Sequence, residues 1–200
     1  MLEGNAPGET ASGAEVVSYF NAHRGRTLTE VFIAPALVAL LILFVGELRA
    51  RVRARGENGV GPTTMMSGAV VSAAGALLGA VVEFGAVSAS QHHQEQAAQT
   101  FNVLNNDDWM PFIAGIAVFM IGAGITVIRS GLVPTWLGWV ALVAGVVSLA
   151  GPGGFVGYFV TPVWMIVVGI ILGSRRDANP TPDDREARHE GARPTQVTTS

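Results

Sequence analysis

Five long stretches of this chain carry almost no charge, and the short segments between them and at the ends hold nearly every ionisable residue. A helix needs about 20 mostly apolar residues to cross the hydrocarbon core of a bilayer. Five stretches meet or nearly meet that length: Thr29 to Leu48, Met66 to Ala89, Met110 to Ile128, Val133 to Ala150 and Phe155 to Gly173. The pattern predicts an all-α integral membrane bundle of five transmembrane helices over 29–48, 66–89, 110–128, 133–150 and 155–173. Residues 29–173 then form the single folded unit. Residues 1–28 read as a disordered N-terminus, with a short interfacial helix at 15–23 that sets Val16, Tyr19, Phe20 and His23 on one side. Residues 174–200 mix Arg, Asp, Pro and Thr and read as a disordered cytoplasmic tail. No apolar run precedes residue 28, so no cleavable signal peptide is expected.

Composition agrees and removes several chemistries. Half of the 200 residues are hydrophobic and 14% are charged, where a soluble domain carries roughly a quarter. All 12 bases are Arg, and there is neither Cys nor Lys, which excludes disulfides, thiol nucleophiles, Cys-ligated metals and Schiff-base lysines. A net charge of −3 gives no footprint for nucleic acid.

The Arg residues also orient the bundle, because basic flanks are retained on the cytoplasmic side. Ten of them flank one side: Arg49, Arg51, Arg53 and Arg55 after the first span, Arg129 after the third, and five beyond the fifth. Only Arg24 and Arg26 fall on the other. The N-terminus is expected outside and the C-terminus inside. The Arg49–Arg55 series reads first as this topology signal, and second as a collar for anionic headgroups.

Within lipid, helices associate through close packing of small residues. The second span gathers Gly68, Ser72, Gly75, Gly79 and several Ala residues on one face, and Val70, Val71, Leu77, Leu78, Val81, Val82 and Phe84 on the other. Ser72, Gly75 and Gly79 are therefore expected to pack against another helix, in this chain or in a second one. Pro162 is expected to kink the fifth span, and Trp164 to pack in the core. Glu83 is the one ionisable residue well inside a predicted span. Such residues usually face the bundle interior, and the orientation sets Tyr158 and Thr161 at a similar depth as candidate hydrogen-bond partners. Two readings of Glu83 follow: a structural hydrogen bond that locks the second helix to the fifth, or a proton-responsive or ligand-contacting carboxylate.

Elsewhere the chemistry is sparse. His92 and Glu95 stand i, i+3 in the connection from Ser90 to Trp109, with no second pair to complete a metal site, so neither metal nor cofactor is expected. There is no internal repeat of the transporter kind, no phosphate-binding loop, no nucleophile elbow and no zincin motif. Gly151-Pro152-Gly153-Gly154 reads as a tight turn.

The stretch from Gly131 to Val140, GLVPTWLGWV, resembles a G-x-L-P-x-W-L-G-W loop that opens a span in small multi-pass membrane proteins of high-GC bacteria. The Arg-rich first loop, the polar connection with Leu104-Asn105 and the terminal Arg175-Arg176 are similar to that group, over most of Tyr19 to Arg176. The resemblance implies a helical bundle in a bacterial inner membrane; it implies no activity, and no functional residue carries over. Sequence alone favours a non-enzymatic bundle that works by association, with the lipid bilayer and either a second copy or another membrane protein as partners. The alternative is a small transporter or channel with Glu83 on its pathway.

Overall fold

The computed structural model describes residues 6–150 and 154–178. Among them the regular structure is helical throughout, in six helices: α1 (Gly13–Ala54), α2 (Val60–Gln91), α3 (Glu95–Asp107), α4 (Trp109–Ser130), α5 (Thr135–Ser148) and α6 (Gly154–Ala178). Four stretches are long and apolar enough to cross a membrane: α1, α2, α3 with α4, and α6. The fifth predicted span differs. Over 133–150 only the 14 residues of α5 are helical, about 21 Å of rise against a core of about 30 Å. Pro134 and the break after Ser148 set those limits.

The N-terminal region departs further from expectation. Residues 15–23 are not a separate interfacial helix; they are the opening turns of α1, which runs 42 residues without interruption. A capping box starts it. The Ser12 side chain accepts from the Glu15 N–H, and the Glu15 carboxylate accepts from the Ser12 N–H at 2.8 Å. These bonds to Ser12 also hold the Glu15 carboxyl below its ordinary range. Residues 6–12, read as disordered, are fastened to α3. Asn102 donates to the carbonyls of Pro7 and Gly8, and Gln99 donates to that of Ala11. The tail expected from residue 174 begins instead as five further residues of α6; residues 1–5, 151–153 and 179–200, and with them most of the turn motif and most of the C-terminal tail, lie outside the described residues.

At the other end α1 continues through its Arg series and stops at Gly56 (φ +85°). The Gly56 N–H donates to the Arg53 carbonyl and the Glu57 N–H to that of Val52, the two bonds of a Schellman stop. Two of those Arg residues tie helix ends together. Arg51 pairs with Glu47 at 2.7 Å and donates to the Leu172 carbonyl of α6, while Arg55 reaches the carbonyls of Ser130 and Gly131 where α4 ends. A cation there also favours the negative end of the helix dipole.

The core of the bundle is the antiparallel pair α2–α4. A Cβ added at Gly68 would strike the backbone of Phe119, at Gly75 that of Phe112, at Gly115 that of Ser72 and at Gly122 that of Met65. Gly61 meets Thr126 and Gly79 meets Asp108 in the same register. The two backbones therefore run in near contact along five rungs, with the Asp108 side chain filling a sixth at Gly79; each rung has one glycine, and the steps alternate between three and four residues as in a left-handed coil. The small face of α2, Ser72, Gly75 and Gly79 included, is thus packed inside the chain. Val70, Val71, Leu77, Leu78, Val81 and Phe84 are exposed as the other face, whereas Val82 is buried. On the far side of α4, Gly124, Gly138 and Gly145 seat α5, and Trp164 of α6 lies buried among Phe44 and Phe119.

Candidate functional site

The rung register decides where the polar residues sit. From Gly61/Thr126 to Gly79/Asp108 the ladder spans 18 residue steps of α2, about 27 Å of rise, close to the hydrocarbon thickness of a bilayer. Glu83 is one turn beyond the last rung, beside the α3–α4 junction. It is half-buried, not enclosed. About two turns from the outer end of its predicted span, it lies where the apolar run of α2 continues past the point at which its partner α4 begins.

Glu83 lines a cavity of about 770 Å³ bounded by α1, α2, the α3–α4 junction and α6. Its charged walls are Arg26 and Glu30 from α1, Glu83 from α2 and Asp108 from the junction. Arg26 and Glu30 are paired at 2.9 Å, both half-exposed. Asn102, Asn105 and Asn106 add amides, and Tyr19, Trp109 and Tyr158 add aromatic surface. Below this rim the lining becomes apolar, with Ile33, Ala34 and Leu37 opposite Ala76 and Ala80.

Of the sequence candidates, Glu83 and Tyr158 meet at this cavity, as does Gly79. Thr161 does not. It is buried, its hydroxyl has no hydrogen-bond partner, and it is therefore not the residue that holds Glu83. One turn along α6 has carried it below the level of the rim. His92 and Glu95 end α2 and begin α3, and among the described residues no three of His, Asp or Glu gather as metal ligands.

Sequence reasoning missed Asp108 as a site residue. Gly79 makes its position accessible: a Cβ there would lie 3.1 Å from the Asp108 Oδ2, so the carboxylate occupies the space a side chain would fill. Its side chain caps none of the first N–H groups of α4. Burial without such a bond pushes the carboxyl up to about 6. The only sequence signal was a Gly on the small face of α2 and an acid immediately before Trp109. Arg26 and Glu30 carried a clearer one, the i, i+4 spacing of a helical ion pair.

No family model, curated protein or solved structure matches this chain. The cavity's chemistry is therefore read from its own residues.

The raised carboxyl of Asp108 has a consequence for stability. An acid that titrates near 6 when folded and near 3.8 when unfolded binds its proton more tightly in the folded state. Its penalty is present in full above pH 6 and is relieved as pH falls from there towards 4. Asp108→Asn is expected to melt above wild type at pH 7, with the difference narrowing as the pH is lowered to 5. Thermal scans of both proteins at the two pH values check this, and a difference that widens on acidification would refute the assignment.

Proposed function

We propose that this is a small multi-pass membrane transporter or channel whose solute enters the cavity at Glu83. The observation that carries the reading is that cavity, lined by charged residues at one end and by apolar residues at the other; the proposal sets the first at the membrane surface and the second at hydrocarbon depth. The association reading loses the feature that motivated it, because the small-residue face of α2 is occupied by α4 of the same chain. Nothing in the cavity sets a nucleophile beside a base, so the reading is not enzymatic.

The proposal includes five crossings, with α5 as a short one, the N-terminus outside and the C-terminus inside a bacterial cytoplasmic membrane. The ten-to-two division of Arg residues supports this orientation. Gly154 packs on Ile113 and Gly157 on Ile116, one to two turns inside the start of α4. The start of α6 would then sit just beneath the outer surface, which lets a 14-residue α5 complete a crossing.

Two experiments test it. The chain has no Cys, so single substitutions report topology cleanly. Glu9→Cys and Gln96→Cys are expected to react with a membrane-impermeant maleimide on intact cells, and Asn58→Cys only after permeabilisation; the reverse pattern would invert the orientation. In proteoliposomes, wild type is expected to conduct protons or solute above empty vesicles, with Glu83→Gln reducing the flux at least tenfold. Flux equal to that of empty vesicles would remove the transport reading.

A further inference from the structure

We infer that the cavity at Glu83 takes a hydrophobic organic cation, one positive charge on an apolar body, drawn from the bilayer rather than from water. This rests on the reading of the cavity as a solute site and names the class of solute.

The charge comes first. The lining holds three carboxylates, Glu30, Glu83 and Asp108, against one guanidinium, Arg26, so carboxylates outnumber bases however these groups pair. A cation at the rim therefore gains attraction, and an anion meets repulsion in surroundings of reduced dielectric. The same inventory argues against a phospholipid headgroup, since the only base available for its phosphate is engaged by a glutamate. A bare divalent ion is also a poor occupant, because the carboxylates come from three different helices or junctions and do not converge as a ligand set.

The aromatic residues favour an organic cation over an inorganic one. Tyr19, Trp109 and Tyr158 line the same rim. Ring faces attract alkylammonium-type charge without requiring the tight coordination shell a small ion demands. A volume of about 770 Å³ is that of a small-molecule cleft.

The route follows from α1. From Leu28 to Phe44 no residue of this helix is buried, although its two ends are anchored by Val16, Val17 and Phe20 and by Val45, Leu48 and Val52. Ile33 and Leu37, on this unburied stretch, are both exposed and both line the cavity. The lower half of the cavity thus borders acyl chains. A hydrophobic cation partitions with its body among those chains and its charge at the surface. Here the apolar wall of Ile33, Leu37, Ala76 and Ala80 lies at the first depth, and Glu83 and Asp108 at the second.

The test uses the full chain in uncharged maltoside detergent, with tetraphenylphosphonium as probe, measured by equilibrium dialysis and by quenching of Trp fluorescence. Saturable binding of one cation per chain is expected, weakened at least tenfold in Glu83→Gln/Asp108→Asn. Tetraphenylborate, of the same shape and opposite charge, is expected not to bind, and added phosphatidylcholine is expected not to displace the probe. Absence of saturable binding to wild type overturns the inference, as does equal binding of tetraphenylborate, which needs no variant to fold. Displacement by phosphatidylcholine overturns the choice of a free cation over a zwitterionic lipid. Saturable cation binding without flux in proteoliposomes would leave this inference standing and remove transport. Flux of another solute without cation binding would do the opposite.

Discussion

Gly75→Leu is expected to destabilise the bundle by about 3 kcal/mol or more, at or above the upper end of overpacking effects, and to yield little monodisperse protein. The atoms a Cβ would meet at Gly75 are the N and Cα of Phe112 and the C of Pro111. These are backbone atoms, so no rotamer change makes room, and the two helices would have to separate. In lipid their association rests on this close approach and not on a hydrophobic driving force. Two controls give the prediction its edge. Gly46→Leu, in α1 with nothing within 4 Å of the added carbon, is expected to leave the melting temperature unchanged. Gly75→Leu combined with Phe112→Ala is expected to show no rescue, because the obstruction is not the phenyl ring. Thermal unfolding in detergent checks all three proteins; recovery in the double variant would show that side-chain crowding, and not backbone contact, sets the helix separation.

The second large effect is expected at Trp164, which is 2% exposed. Its ring stands edge-on to Phe44 of α1 and Phe119 of α4, with centroids 6.4 and 6.2 Å away. Its Nε1 donates to the Leu137 carbonyl of α5 at 2.8 Å. One side chain thus joins α6 to three other helices. Trp164→Ala is expected to cost about 3–5 kcal/mol, the range for removing a large buried aromatic. Trp164→Phe retains most of the contact area and loses the hydrogen bond, about 1 kcal/mol. The melting temperatures of the two variants separate these terms. Equal losses would mean that the hydrogen bond dominates, contrary to the packing argument.

What could be read from the sequence divides along a physical line. Long apolar runs and the small face of α2 were legible because both are periodic properties of a single helix, as was the buried position of Trp164. The interfacial segment at 15–23 was not recognised as the start of α1, since Arg24, Arg26 and Glu30 interrupt the apolar run. Those charges break a hydropathy pattern without breaking a helix. α3 was read as a polar connection because its buried positions, Ala98 and Asn102, include only one apolar residue. The site itself depended on register between helices. Glu83 stands out in the sequence as an acid within an apolar run, and its position relative to the other helices follows from where α4 begins relative to α2. Asp108 joins it only because Gly79 leaves the space vacant, and no one-dimensional periodicity encodes such a pairing. Tyr158 and Thr161 looked equivalent by depth, but a single helical turn puts one at the cavity and the other beneath it.

The alternation of glycines along α2 and α4 also determines how far these two helices can shift against each other. A slide of α2 by one turn in one direction would set Gly68 opposite Gly115 and Met65 opposite Phe119; in the other it would set Gly75 opposite Gly115 and Ser72 opposite Phe119. Either displacement creates voids at some rungs and collisions at others, so the pair resists piston motion in both senses. These two helices form a stator, and Glu83 and Asp108 are fixed to it at constant height. The middle of α1 lacks any such lock: between Thr27 and Val45 none of its residues is buried, so the cavity wall formed by Ile33 and Leu37 is not held by interlocking backbones as the two carboxylates are.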